Sequence, residues 1–206
     1  MQGLFITFEG IEGCGKSTQA KLLHEYLVSK GLPCILTKEP GGTRLMQRVR
    51  ELLLDAKTKG LDARAELFLY LADRAQHVKE IIKPALLAGK IVISDRYGDA
   101  TIAYQGAGRN LPLQEVKHLN KIATGGLIPD ITIIIDMPVI DALERIKSRD
   151  RMERESVDFH KRVRAQYLEL ARLEPERIKV LDGTKSIDEI HTEVKKYVDE
   201  LLSQTS

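Results

Sequence analysis

Short runs of apolar and β-branched residues alternate along this chain with longer stretches in which apolar positions return every three or four residues. The runs Leu4–Phe8, Cys34–Thr37, Ile91–Ser94, Ile131–Ile135 and Ile178–Leu181 have the length and composition of strands. Leu4–Phe8 alternates poorly, as a parallel strand covered on both faces does. Helical periodicity fills the gaps: Lys16 to Lys30, Leu45 to Leu54, Ala100 to Tyr104, Leu113 to Ala123, Val139 to Ser148, Glu155 to Leu173 and Ile187 to Leu202. A longer helix is predicted from Asp62, its N-cap, to Ile82, with Pro84 beyond its end. Its apolar run from Leu67 to Ala72 covers every side, so it must be buried on more than one face, either in a core or against sheet and partner together. Phe68, about 200° around that helix from Tyr70, is expected in the core. The alternation predicts a three-layer α/β fold, with five parallel strands between helices and ligands at the strands' carboxyl ends. With no repeat, low-complexity segment or long linker, residues 1–206 read as one domain.

The first strand runs into Gly10-Ile11-Glu12-Gly13-Cys14-Gly15-Lys16-Ser17, which fits the phosphate-binding loop pattern G-x-x-x-x-G-K-[ST] at every fixed position. Strand, glycine-rich loop and helix give the pattern its structural context. The glycines permit backbone angles that aim successive N–H groups at phosphate oxygens, and the helix N-terminus adds positive charge. From Gly10 to Thr18 the loop is therefore expected to bind a nucleoside triphosphate. Lys16 would reach the β- and γ-phosphates, and the Ser17 hydroxyl would ligate Mg²⁺.

A net charge of +2 gives no sign of bulk nucleic-acid binding. The sequence has no apolar run of membrane-spanning length, and Met1-Gln2-Gly3 leads into the first strand without a signal peptide. Cys14 and Cys34 are too few for a disulfide framework or metal cluster; Cys14 is read as a small loop residue. These features predict a cytoplasmic protein with neither nucleic-acid nor membrane partners. His24, His118, His160 and His191 lie on predicted helices without ligand spacing and are expected to be solvated; His77 has no evident role.

A GTPase would carry Asn-Lys-x-Asp, but Asn120-Lys121-Ile122-Ala123 lacks the Asp. Asp95 closes the third strand, as a metal-facing carboxylate does, yet Arg96 and Tyr97 follow it. An arginine there suits a second anionic substrate beside the γ-phosphate, as in a kinase for a phosphorylated acceptor.

At this point the chain resembles the thymidylate kinases. The resemblance rests on the segment Phe8 to Thr18, on Lys38-Glu39-Pro40-Gly41-Gly42-Thr43, on Ala72-Asp73-Arg74-Ala75-Gln76-His77, on Asp95-Arg96-Tyr97 with Ala103-Tyr104-Gln105-Gly106, and on Asp150 to Glu155. It implies transfer of the γ-phosphoryl of ATP to dTMP with Mg²⁺, by a homodimer that packs through the long helix. It places Arg96 and Arg50 at the acceptor phosphate, Asp95 at Mg²⁺ or orienting the acceptor, Glu39 among the substrate-binding residues, and Arg74 at a base carbonyl. Gln105 falls at the base edge, Tyr70 stacks on thymine where the family usually has phenylalanine, Tyr104 lies under the sugar, and Glu12 faces the 3′-OH. Glu12, with no arginine in the loop, resembles a bacterial subtype whose lid supplies the catalytic arginines. The lid would span about 148–156 and hold Arg149, Arg151 and Arg154, with Arg149 near ATP at the hinge and Arg151, on one helical face with Arg154, as the principal finger; Arg145 would stack on adenine. Two alternatives stay open: a kinase of this fold for another nucleoside monophosphate, and a non-catalytic nucleotide-binding module.

Overall fold

The structure is a computed structural model that describes residues 3–146 and 150–205. Its strands are β1 (Phe5–Glu9), β2 (Cys34–Lys38), β3 (Ile91–Asp95), β4 (Ile131–Asp136) and β5 (Ile178–Asp182), each within a residue or so of its apolar run. They form one parallel sheet in the order β2-β3-β1-β4-β5. The helices are α1 (Lys16–Ser29), α2 (Gln47–Leu54), α3 (Ala63–His77), α4 (Lys83–Leu87), α5 (Gly98–Thr101), α6 (Leu113–Thr124), α7 (Val139–Glu144), α8 (Val157–Leu173) and α9 (Ile187–Thr205). Successive strand residues point to opposite faces, so β1, β2 and β3 feed two cores. Ile6, Ile93 and Ile133 pack into the larger one with Leu23 and Leu27 of α1 and Val163 of α8; Phe5 and Val92 face the smaller one with Val78, Ile82 and Tyr97. Each such burial is worth about 1.5–3 kcal/mol.

The register sets the site. Phe8 of β1 pairs with Asp95 of β3, so the loop leaving β1 and the residues leaving β3 emerge side by side at the centre of the sheet.

Several local expectations are corrected. Asp62 does cap α3, its side chain accepting from the N–H groups of Arg64 and Ala65. The helix continues past Ile82, however, through a π-helical segment, Val78–Ile82, into α4 with Pro84 inside its first turn. The wider turn takes in a residue that cannot donate to the preceding turn. The single helix expected over Ala100 to Tyr104 is instead α5 followed by a π-helical segment, Ile102–Gly108. α8 begins at Val157 rather than Glu155 because the Ser156 side chain caps it, accepting from the N–H of Phe159. Phe68 is not in the core but 56% exposed. It lies in a stripe with the exposed Ala65, Ala72 and Ala75 along one face of α3. Among the described residues, no helix is long and apolar enough to cross a membrane.

Candidate active site

At the carboxyl ends of β1 and β3 lies a cavity of about 400 Å³. Its wall holds Glu12, Gly13, Lys16, Ser17, Glu39, Arg50, Tyr70, Arg74, Asp95, Arg96, Tyr104 and Gln105, all singled out from sequence. It also holds Thr101, which no motif in the sequence marks, and Lys38 and Glu153, which lie in two of the motif segments but were given no role there.

The phosphate-binding loop has the backbone its glycines predict. Gly10, Gly13 and Gly15 all have positive φ. At Gly13 any side chain is also excluded by space, since a Cβ would fall 2.0 Å from the Ala142 carbonyl oxygen. Ile11 and Cys14 are buried beneath the loop, where burial pushes the Cys14 thiol pKa up. Cys14 is therefore a packing residue. Lys16 Nζ donates to the Ile11 carbonyl at 3.2 Å, and the Ser17 hydroxyl donates to Asp95 Oδ2. Asp95 Oδ1 is buried without a hydrogen-bond partner. A hydroxyl and a carboxylate with a lone pair in reserve suit a hard cation that also takes phosphate and water oxygens. Thr18 is exposed on the first turn of α1.

Arg96 follows β3 with φ of 75°, a left-handed backbone that non-glycine residues adopt at a cost and mostly at functional sites. Its Nη1 donates to the Gly10 carbonyl at 3.1 Å, its Nη2 to Glu12 Oε1 at 2.8 Å, and its guanidinium lies 4.8 Å from the centre of the Tyr104 ring. The Tyr104 hydroxyl donates to Glu12 Oε2 at 2.6 Å. Burial alone would raise the Glu12 pKa, but Arg96 and its other partners outweigh it and hold the carboxyl well below the usual range. Behind it, burial and the nearby Asp99 push Glu9 up to about 8, although Tyr97 N–H and Tyr167 O–H both donate to it.

Arg74 is where the sequence reading placed it, but its donors are committed elsewhere. Its Nε and Nη2 face Glu39 Oε2, both at 2.8 Å, and Nη2 also donates to the Tyr97 carbonyl. Nη1 donates to Thr101 Oγ1 and Asn120 Oδ1 at 2.6 and 2.9 Å. Four guanidinium N–H groups are thus hydrogen-bonded, and Nη2 is also ion-paired with Glu39. Arg74 thus fastens Glu39 rather than presenting a free donor to a base carbonyl. The other Glu39 oxygen is 2.9 Å from His77 Nδ1, while His77 Nε2 meets Thr37 Oγ1 at 2.7 Å. Asp73 Oδ1 accepts from Gly41 N–H at 2.7 Å. Asp73, Arg74 and His77 therefore nail the Glu39-Pro40-Gly41-Gly42 loop to α3, which gives His77 a role. Arg50 donates to the Pro40 carbonyl at 2.7 Å and lays its stem over Gly41.

The π-helical segment turns Tyr104 and Gln105 toward the cavity. Gln105 Nε2 donates to Glu66 Oε1 at 2.9 Å. Glu66 also accepts two bonds from Arg109, at 3.0 and 2.9 Å, and lies 2.7 Å from Arg151 Nη1. Burial opposes ionisation of Glu66, but Arg109 prevails and its pKa is lowered. An ionised carboxylate only accepts, so the amide nitrogen of Gln105 must face Glu66. Tyr70 is half-buried on the cavity wall, its phenol pKa pushed up by burial.

The lid sequence folds on itself. Asp150 Oδ1 accepts from the N–H groups of Met152 and Glu153, and Glu153 Oε2 accepts from Asp150 N–H. This reciprocal turn throws Arg151 away from the phosphate-binding loop. Its Nε donates to the Leu53 carbonyl at 2.6 Å, its backbone N–H to the Leu54 carbonyl, and Nη1 pairs with Glu66. Arg151 does not line the cavity in this structure; it struts α2 against α3. Arg154 is exposed, and Arg149 lies outside the described residues. Arg145 is exposed at the end of α7, with Nη1 3.5 Å from the Gly183 carbonyl, and is not on the cavity wall. The expected solvation of the histidines holds for His118 but fails for His160, which is fully buried 3.4 Å from Glu12; His24 and His191 are half-buried.

A parallel sheet with a phosphate-binding loop after its central strand, and a carboxylate and an arginine leaving the next strand, defines a P-loop nucleotide-binding α/β protein. Comparison with known proteins narrows this further. The sequence model of the thymidylate kinase family matches residues 8–194. A thymidylate kinase of Carboxydothermus hydrogenoformans is 50% identical over 98% of this chain and 99% of its own. One from Desulfovibrio desulfuricans is 48% identical over 97% and 96%. The crystal structure of a thymidylate kinase from Ehrlichia chaffeensis superposes with a TM-score of 0.81, at 40% identity over 97% of this chain and 99% of that one. The chain belongs to the thymidylate kinase family.

Proposed function

We propose that this chain transfers the γ-phosphoryl of ATP to dTMP, giving dTDP and ADP. The observation that carries this reading is Arg96, held by the end of β3 in the same cavity as the phosphate-binding loop. Two anion-binding groups then face one another, as an in-line transfer between two phosphorylated ligands requires. Lys16 leaves the Ile11 carbonyl for the donor's phosphates, and the guanidinium of Arg96, joined by Arg50 at the cavity mouth, holds the acceptor phosphate in paired hydrogen bonds. Mg²⁺ would be held by Ser17 and, directly or through water, Asp95, and would neutralise phosphate charge. Little covalent chemistry is left to the protein; it orients the two substrates and keeps water from the γ-phosphoryl.

Base selection falls to Gln105 rather than Arg74. With its Nε2 bound to Glu66, Gln105 has Oε1 left to accept from thymine N3–H. Cytosine offers a bare acceptor at that position, so two acceptors would meet. Tyr70 stacks on the base, Tyr104 lies under the sugar, and Glu12 accepts from the 3′-OH. Residues 148–156 form the lid over ATP within a single kinase domain, Arg149 and Arg154 furnish its charge toward the phosphates, and Arg145 lies beside adenine. The apolar stripe of α3 around Phe68 packs on a second copy of the chain. The reading is of a cytoplasmic enzyme.

Incubation with ATP and Mg²⁺, with dTMP present or absent, tests the reaction. ADP and dTDP should accumulate together and only with dTMP, and Arg96→Met should suppress both. ADP release that ignores dTMP would indicate an ATPase, and no release a binding module.

A further inference from the structure

We propose that His160 is a positioning residue for Glu12 and, through it, for the acceptor's sugar; the proposal rests on the reading of Glu12 as partner of the 3′-OH. His160 lies one turn into α8, directly after the lid, with no solvent exposure. Both ring nitrogens are buried without a hydrogen-bond partner. Buried polar atoms are nearly always satisfied, so an imidazole with two orphan nitrogens calls for an explanation. The ring is not adrift in apolar core: Nδ1 is 3.4 Å from Glu12 Oε2, while Phe159 packs edge-on against it at 5.4 Å between ring centres. That separation is longer than an ordinary N–H···O bond, and closing it takes a shift of about half an ångström.

The carboxylate of Glu12 is gripped from two directions already. Arg96 holds Oε1 and the Tyr104 hydroxyl holds Oε2, both from residues that leave or follow β3. His160 approaches from α8, an element with no other hold on this carboxylate among the described residues. A proton on Nδ1 would give Oε2 a second donor and stop the carboxylate rocking about the Arg96 contact. The acceptor's hydroxyl would then meet an oxygen of fixed direction, at the flank of the sugar whose phosphate Arg96 binds.

The test compares dTMP with its 3′-deoxy analogue for the wild type, His160→Leu and His160→Asn. Leucine fills the space without a donor; the asparagine amide can place an N–H near the position of Nδ1. We expect His160→Leu to lose about tenfold or more in kcat/KM on dTMP. On the 3′-deoxy analogue, which has nothing to offer Glu12, the same variant should stay within about threefold of wild type. His160→Asn should recover most of the dTMP efficiency. Equal losses on both acceptors, or no advantage of asparagine over leucine, would show that His160 only fills the core and would overturn the proposal. A wild type that uses both acceptors equally would overturn it at Glu12 instead, and a wild type without dTMP turnover would remove the function on which both rest. If His160→Leu does not fold, the asparagine variant decides alone: it should keep the preference of the wild type for the 3′-OH, and its loss would count against the proposal.

Discussion

Arg74 shows how a residue can be placed from sequence while its hydrogen-bond partners stay hidden. Its position on the wall of the cavity follows from the motif Ala72 to His77, but hydrogen-bond bookkeeping is a property of three dimensions. Glu39, Thr101, Tyr97 and Asn120 come from distant parts of the chain, and between them they engage Nε, Nη1 and Nη2. Arg74 and Glu39 are each almost wholly buried, so removing one leaves the other as an uncompensated charge, which costs about 3–5 kcal/mol. Arg74→Met should therefore lower unfolding stability by about that amount in denaturant titration. A base-reading arginine would instead give a stable protein with a raised KM for dTMP, and that result would restore the original assignment. The same limit applies to His77 and His160. His160 reads as solvated and His77 carries no evident role in the sequence, and only tertiary packing shows that both are fully buried.

At the scale of elements, the five strands were legible because buried parallel strands are short, apolar and punctuated by turns. The π-helical segments were not, since a helix that widens for one turn keeps nearly the same periodicity. That matters functionally, because Ile102–Gly108 is what turns Gln105 toward the cavity. The segment proposed as the lid was legible as arginine-rich, but the direction of Arg151 was not. Its Asp-Arg-Met-Glu sequence caps itself, and Arg151 swings to Leu53 and Glu66 as a result. An arginine finger contributes about 10³–10⁵ in kcat; a strut that holds Glu66, and so Gln105, acts on acceptor binding. Arg151→Ala is expected to raise KM for dTMP severalfold while kcat falls less than about tenfold. A hundredfold loss in kcat at unchanged KM would return Arg151 to the phosphoryl group. The stripe on α3 makes a separate prediction. Phe68, flanked by Ala65, Ala72 and Ala75, is a large exposed apolar side chain among small ones, a surface suited to close helix packing. Phe68→Glu should turn a dimer into a monomer in sedimentation velocity, without loss of secondary structure. A variant that sediments as the wild type does would move the interface elsewhere.

For the whole molecule, the sheet order brings together what the sequence holds far apart. The phosphate-binding loop, the Glu39 loop, Arg96, Gln105 and the lid span positions 10 to 155, yet the cavity at the ends of β1 and β3 gathers residues from all of them. Fold class was readable because it rests on strand periodicity, and Lys16, Asp95 and Arg96 could be placed on the cavity wall because they lie in local motifs. The direction of the Gln105 amide was not readable, because Glu66 fixes it and no local pattern marks Glu66. The central claim is that this cavity phosphorylates a thymine nucleotide, and it is tested most directly by ADP release from ATP and Mg²⁺ over a panel of nucleoside monophosphates. Opposed acceptors at Gln105 cost about 1–3 kcal/mol, or roughly 5- to 150-fold, so dTMP should exceed dCMP in kcat/KM by that margin and should lead the panel. Comparable efficiency on dCMP and dTMP, or a different monophosphate in the lead, would contradict the account.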